Sequence, residues 1–279
     1  MAYLPALRKL IRTAVEQHVG PDTGVLLSGG IDSSTIAAYA PGLPAFTGYY
    51  KGAAYDERKW ARLAAGEREH HEIEIKPEDF VKNFDAMRKA IKPPFQGPGT
   101  LGQYIVAKYV AKKVSTVLSG EGGDELFGGY ARLYMVAGVK PPDGYADYTP
   151  PADYPDNVAD ALAYDWERLP DLLAVDEQVT KANKITAIAP LLSPPLVEYV
   201  LKLPPLERVG KVTLRAAMQG IVPDPILART DKRGFPVPYV EWAQRDPVRS
   251  FVEERIGYVP DAAKPWDRGW WNDLLAATA

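Results

Sequence analysis

Two short segments carry most of the side chains in this sequence that could do chemistry together. In the first, Ser28-Gly29-Gly30-Ile31-Asp32-Ser33-Ser34 follows a short apolar run. Glycines let backbone amides approach phosphate oxygens, a following helix N-terminus adds its dipole, and serine hydroxyls supply further donors. That pattern makes an anion cradle. No lysine follows it, so neutralising charge must come from elsewhere, and Asp32 makes sense as a ligand for magnesium bound to a polyphosphate. In the second, "LSGEGGDELFGGY" from Leu118 to Tyr130, Glu121, Asp124 and Glu125 lie together in a glycine-rich turn. Their mutual repulsion must be relieved by a cation or a shared proton. Taken singly, the first segment is a glycine-serine turn with a helix cap and the second an exposed acidic turn. Strand, loop and helix in that order at the first, and strand, small residues and acids at the second, together favour a phosphate and magnesium site.

The surrounding chain has the elements needed to hold two such loops. Leu4, Leu7, Leu10, Ile11, Ala14 and Val15 recur at helical spacing, which predicts a leading amphipathic helix that packs on the core. Val25 to Leu27 reads as a buried strand, Ser33 to Tyr39 as the start of a helix, and residues 43–50 as a second strand. "AYDERKWARLAAGE" is helical in pattern, and "HHEIEI" at 70–75 alternates like a third strand. "LGQYIVAKYVAKKV" from 101 to 114 is another helix, followed by the strand "STVLSG". Strands alternating with helices imply an α/β fold with a parallel sheet, and both glycine-rich loops leave carboxyl ends of strands, where such sheets bind ligands. Residues 138–157 are rich in proline, tyrosine and aspartate and read as an irregular connection. The expected division is therefore an α/β core at 1–140 and a mostly helical part at 141–279 packed on it.

Composition narrows the chemistry. At 279 residues and 46% hydrophobic content the chain can bury a substantial core. Cysteine is absent from the sequence, which removes disulfides, thiolate metal sites, cysteine nucleophiles and persulfide carriers. A net charge of −3 gives no global attraction to nucleic acid. No apolar run approaches the roughly 18 residues of a membrane span, and the first twenty residues lack the features of a signal peptide, so a cytoplasmic protein with no membrane partner is expected. His70 and His71, within an alternating run, are expected to be structural. Trp266, Trp270 and Trp271 near the C-terminus are expected to pack rather than stack on bases.

The two loops resemble the asparagine synthetase family. "SGGIDSS" looks like the pyrophosphate loop (PP-loop) of the N-type ATP pyrophosphatases, and "LSGEGGDELFGGY" is similar to the signature of the family's synthetase domain. The resemblance extends through "YDERKWARLAA", "HHEIEI" and "DKRGFPVP", roughly residues 20 to 240. It implies an adenine-nucleotide α-hydrolase-like twisted sheet flanked by helices, and an enzyme that uses ATP and magnesium. Such an enzyme attacks the α-phosphate with a substrate carboxylate, releases pyrophosphate, and lets an amine displace AMP from the acyl-adenylate. Carried over by position, Ser28, Gly29, Gly30, Asp32 and Ser33 would hold pyrophosphate, and Asp32 and Asp124 would coordinate magnesium. Leu26, Thr47, Gly48, Ser119 and Gly120 would contact the adenosine part. Glu121 matches a glutamate beside the reacting carboxylate, suited to proton transfer. Lys232, in "DKRGF", matches a lysine that neutralises charge on the phosphates and the tetrahedral intermediate, and the helical part would contribute it to the site.

The chain also departs from the family pattern. Glutamine-hydrolysing members begin with an amidotransferase domain bearing an N-terminal cysteine, whereas here the pyrophosphate loop starts at residue 28. Ammonia would then be taken free, come from a separate amidotransferase, or be replaced by another amine. Thr186, Ile188 and Ser193 in "KITAIAPLLS" stand where glutamate, arginine and aspartate are usual. "PPFQGPGTLGQY" lacks the arginine that helps bind aspartate. An apolar or small residue cannot pair bidentately with a second carboxylate, so the small-molecule acid substrate is expected to differ from aspartate. The related β-lactam synthetases use a tyrosine where this chain has Glu121. A base- or tRNA-modifying pyrophosphatase and a non-catalytic nucleotide-binding module are the competing readings. The sequence leaves the acid, the amine donor and the oligomeric state open.

Overall fold

Short apolar runs ending in polar or glycine-rich turns form one sheet in the computed structural model, which describes residues 3–52, 56–92, 97–143, 145, 148–231, 237–263 and 269–277. Strand β1 (Thr23–Leu26) lies at its centre. β2 (Ala45–Tyr49) and β3 (His70–Glu74) extend the sheet on one side, β4 (Thr116–Leu118) and β5 (Thr186–Ile188) on the other, in the order β3-β2-β1-β4-β5. Val25 sits opposite Ala45 and Leu118, Ala45 opposite His70, and Leu118 opposite Ile188, and all four pairings are parallel.

Parallel neighbours need crossovers, and helices supply them. α1 (Leu4–Glu16) precedes β1, α2 (Ile31–Tyr39) follows it, α3 (Arg58–Ala65) leads to β3, and α4 (Pro77–Ala90) and α5 (Gly99–Val110) lead to β4. Between β4 and β5 come α6 (Gly123–Phe127), α7 (Ala131–Val136), α8 (Val158–Glu167) and α9 (Leu169–Ala182). Beyond β5 the chain forms α10 (Pro194–Leu201), α11 (Pro205–Arg208), α12 (Val212–Ala217), α13 (Asp224–Leu227), α14 (Tyr239–Trp242), α15 (Val248–Ile256) and α16 (Gly269–Ala277). The α/β class with a mostly helical second half is thus as expected. No helix among the described residues is long and apolar enough to cross a membrane.

Two of the elements that the sequence reading missed bear directly on the sheet. α4 starts where Pro77 supplies a helical φ and the Asp79 carboxylate accepts from the Lys76 amide at 3.0 Å. β5 is only three residues, and it arises inside "KITAIAPLLS", where backbone bonds from Thr186 to Ser115 (2.9 Å) and from Ser119 to Ile188 (2.8 Å) hold it to β4. The segment that departs from the family pattern therefore still completes the sheet with its backbone.

Apolar side chains cover both faces of the sheet. On one, α1 buries Leu7, Ile11, Ala14 and Val15 among Val25, Leu27, Ile36, Leu196 and Leu214; each large aliphatic side chain so buried stabilises the fold by about 1.5–3 kcal/mol. On the other, Phe80, Phe84, Tyr239, Phe251 and Trp271 meet edge to face with ring centroids 5.0–6.4 Å apart. Trp270 and Trp271 are buried here as packing residues, and Trp266 lies outside the described residues. The histidines of β3 are structural too. His70 pairs with the Thr47 hydroxyl at 2.8 Å, and His71 stacks on Phe46 at 5.0 Å.

Candidate active site

The strand order reverses between β1 and β4, so the loops leaving these two neighbours open a crevice at their carboxyl ends. Both glycine-rich segments lie there. The first loop is stitched by its own serines. Ser33 Oγ accepts from the Ser28 amide (3.1 Å) and donates to the Gly30 carbonyl (3.2 Å), while Ser28 Oγ lies 3.0 Å from it and accepts from the Gly30 amide (3.3 Å). Gly29 has φ of +73°, and a Cβ on it would come within 2.5 Å of the Ala61 nitrogen, so the loop rests directly on the backbone of α3. The second loop leans on the first at Gly123, where a Cβ would fall 2.4 Å from Asp32 Oδ1.

Ten of the expected site residues line one cavity of about 340 Å³: Leu26, Ser28, Asp32, Ser33, Thr47, Gly48, Ser119, Gly120, Glu121 and Asp124. Gly29 and Gly30 belong to the cradle loop behind this lining. Lys232 lies outside the described residues.

A different lysine enters the centre of the site. Lys211, between α11 and α12, has a left-handed backbone (φ +59°), and its ammonium reaches Asp32 Oδ2 at 2.5 Å and Asp124 Oδ1 at 2.8 Å. Burial alone would lower its pKa, but the two carboxylates reverse this and hold it above the ordinary value. Nothing local in "RVGKVTLR" marks this residue; only the tertiary path brings it in. The buried Asp32 Oδ1 has no hydrogen-bond partner among the described residues. A convergent carboxylate pair with one oxygen unsatisfied and a cation already drawn to it has the donor chemistry of a divalent-metal site. No group of three or more histidine, aspartate or glutamate side chains that could hold a metal by themselves occurs among the described residues.

Arg229 is the second missed cation. Nearly fully buried, its guanidinium donates to the Gly29 carbonyl (3.0 Å), Glu57 (2.6 Å) and Asp231 (2.8 Å), and lies 4.5 Å from the Trp60 ring centroid. It ties the cradle loop to α3 and to the start of "DKRGF". Its place three residues before Lys232 was the one available signal.

Beyond Asp124 the cavity turns acidic. Glu125 is buried and accepts from the Tyr130 hydroxyl at 2.5 Å, and burial raises its pKa. Burial and the charges of Asp176, Glu125, Asp124 and Asp32 push Glu121 up to about 8. Asp176, from α9, is pushed up to about 6 by burial, against the Gln103 amide that donates to it at 3.2 Å. The sequence reading did not single out Asp176, because an aspartate in an amphipathic helix carries no local signal. A carboxyl that holds its proton near neutrality can act as acid or base there.

Comparison with known proteins fits this geometry. The Asparagine synthase family matches residues 6–140 and 154–266. The chain belongs to that family. It is 27% identical over 331 aligned positions to "Asparagine synthetase [glutamine-hydrolyzing] 1" of Bacillus subtilis (strain 168), covering 89% of this chain and 52% of that protein. It is 25% identical over 329 positions to "Putative asparagine synthetase [glutamine-hydrolyzing]" of Mycobacterium tuberculosis H37Rv, covering 89% and 50%. A segment of 133 positions is 33% identical to "Putative asparagine synthetase [glutamine-hydrolyzing] 2" of Methanocaldococcus jannaschii, covering 44% of this chain and 26% of that protein. The chain thus spans about half the length of the first two relatives.

Proposed function

We propose that this member of the Asparagine synthase family is an AMP-forming carbon–nitrogen ligase. It would use ATP to adenylate a small carboxylic acid and pass the acyl group to ammonia or another amine. The observation that carries the reading is the meeting of the two loops in one cavity, with Asp32 and Asp124 drawn together by the Lys211 ammonium.

In this reading Ser28, Gly29, Gly30, Asp32 and Ser33 cradle the leaving pyrophosphate, whose orientation the serine stitching fixes before ATP arrives. Leu26, Thr47, Gly48, Ser119 and Gly120 face the adenosine part. Asp32 and Asp124 would hold magnesium, which neutralises phosphate charge when bound. The Lys211 ammonium, held between Asp32 and Asp124, would add counter-charge at this end, and Lys232 would supply another from the second half. Glu121 takes the proton that the amine loses as it attacks. Residues 1–140 then serve as the nucleotide core, and 141–279 bring β5, Lys211 and Lys232 to it.

The ligase reading is tested by ATP–pyrophosphate exchange with magnesium and a broad panel of carboxylic acids. Acid-dependent exchange is expected, with an acid other than aspartate giving the highest rate. No stimulation by any acid, with ATP nonetheless bound, would leave a nucleotide-binding module as the better account.

A further inference from the structure

The end of the cavity formed by α5, α9 and β5 differs from the phosphate end. Glu121 and Asp176 face it, Gln103 holds one oxygen of Asp176, and no described residue forms a hydrogen bond or ion pair with the Glu121 carboxyl. Beside these acids stand Val106 and Ala107 of α5, Val179 of α9, and Ile185 and Ala187 at β5. Among the described residues lining the cavity, every charged one is acidic. The nearby cations among the described residues are committed elsewhere, Lys211 to Asp32 and Asp124, Arg229 to Glu57 and Asp231, and Arg208 to the carbonyls of Leu126 and Glu125.

These walls discriminate between candidate occupants. A second carboxylate would face two acids in a recessed site where no described lining residue is a cation that could offset its charge. Ammonium would satisfy the acids but has no use for the apolar wall. A primary alkylammonium satisfies both, its charge between Glu121 and Asp176 and its chain along Val106, Val179 and Ile185. We propose that this end of the cavity selects the nitrogen nucleophile as a primary amine with a short apolar chain, and that Asp176 is the specificity-determining residue. The inference rests on the ligase reading above.

The chemistry balances without another reagent. The bound R–NH3+ gives one proton to a carboxylate of the pair, and the free amine attacks the acyl carbon of the adenylate. The C–N bond forms as the bond from that carbon to the phosphate oxygen breaks. AMP leaves with the electron pair, and the second nitrogen-bound proton passes to the other carboxylate.

The test is calorimetric titration of the full chain, with AMP and magnesium present, against n-butylamine, ammonium chloride and succinate in an amine-free buffer. n-Butylamine is expected to bind at least tenfold more tightly than ammonium or succinate. Affinity should climb roughly three- to fourfold per methylene from methylamine to butylamine, as burial of each CH2 requires. Asp176→Asn, which keeps a partner for Gln103, should weaken n-butylamine at least fivefold while leaving AMP affinity unchanged. Equal or tighter binding of ammonium or succinate, no dependence on chain length, or an indifferent Asp176→Asn overturns the proposal. Should that variant not fold, Ala107→Leu must shift the preference toward shorter amines, and an unshifted preference overturns it equally. Exchange activity is read separately: its loss with every acid ends the ligase reading, whereas failed amine binding with intact exchange ends only this inference.

Discussion

The two ends of the cavity handle buried charge in opposite ways. At the end lined by the two glycine-rich loops, Asp32 and Asp124 share Lys211 at 2.5 and 2.8 Å, and Glu57 has Arg229 at 2.6 Å. At the other end Glu121 and Asp176 have no cation among the described residues, only the neutral amide of Gln103, and both titrate far above ordinary carboxyls, at about 8 and about 6. The first end has its carboxylates paired with cations before any ligand binds, apart from Asp32 Oδ1, which has no partner among the described residues. The second keeps its acids partly protonated and becomes complete when a cation arrives. In the proposed reaction the contrast would separate a part of the site that holds a fixed geometry from one that exchanges protons.

The largest expected effect comes from removing the central cation of the paired end. Lys211→Ala leaves two carboxylates facing each other, one of them buried, and should lower acid-dependent ATP–pyrophosphate exchange by about 10²–10³-fold. It should also cost about 3–5 kcal/mol in urea unfolding. Retention of wild-type exchange would show that Lys211 is only a structural counter-ion. Next, Gly29→Ala combines a left-handed backbone with a Cβ only 2.5 Å from backbone atoms of α3. A loss of about 2–4 kcal/mol and of ATP binding by equilibrium dialysis is expected; normal ATP affinity would mean the loop does not need its seat on α3.

Arg229→Met should follow, at about 2 kcal/mol, because its partner Glu57 keeps some access to solvent. ATP should still bind, but more weakly, and a thermal shift with ATP that equals wild type would contradict the clamp. The smallest effect probes the incomplete end. Because the folded-state pKa of Glu121 is raised, the folded protein holds that proton between about pH 4.5 and 8 while the unfolded chain releases it, so this residue lowers stability as pH rises through that window. Glu121→Gln should therefore melt higher than wild type at pH 8, with the gap closing toward pH 4.5. A gap that widens on acidification would reverse the sign of the argument.

The sequence shows the cradle and the acidic turn because their glycines meet local requirements: Gly29 and Gly122 both need a left-handed φ. The first four strands are legible for a related reason, since each is a short apolar or alternating run that can be read in its own residues. Lys211, Arg229 and Asp176 are not legible in the same way. Their roles come from where the chain returns after long excursions, and no spacing rule encodes that. β5 is hidden for a third reason. Three residues, preceded by Lys184 at φ +60° and followed by Pro190, make a strand only because the β4 edge is there to receive them. Lys232 follows from the family resemblance and lies outside the described residues.

Strand β5 also sets the order in which the molecule can assemble. The first four strands are adjacent in sequence to the helices that join them, whereas the β4 edge finds its partner only after the chain has passed through α6, α7, α8 and α9. Until then β4 presents a row of unpaired amides and carbonyls that another chain can use as a template. Closing that loop, like the longer one that brings β4 to β1, is slow compared with pairing β1 with β2 or β2 with β3. The brevity of β5, ended by Pro190, then works in the chain's favour: the last strand to arrive caps the growing edge and offers little of its own for a further strand to extend.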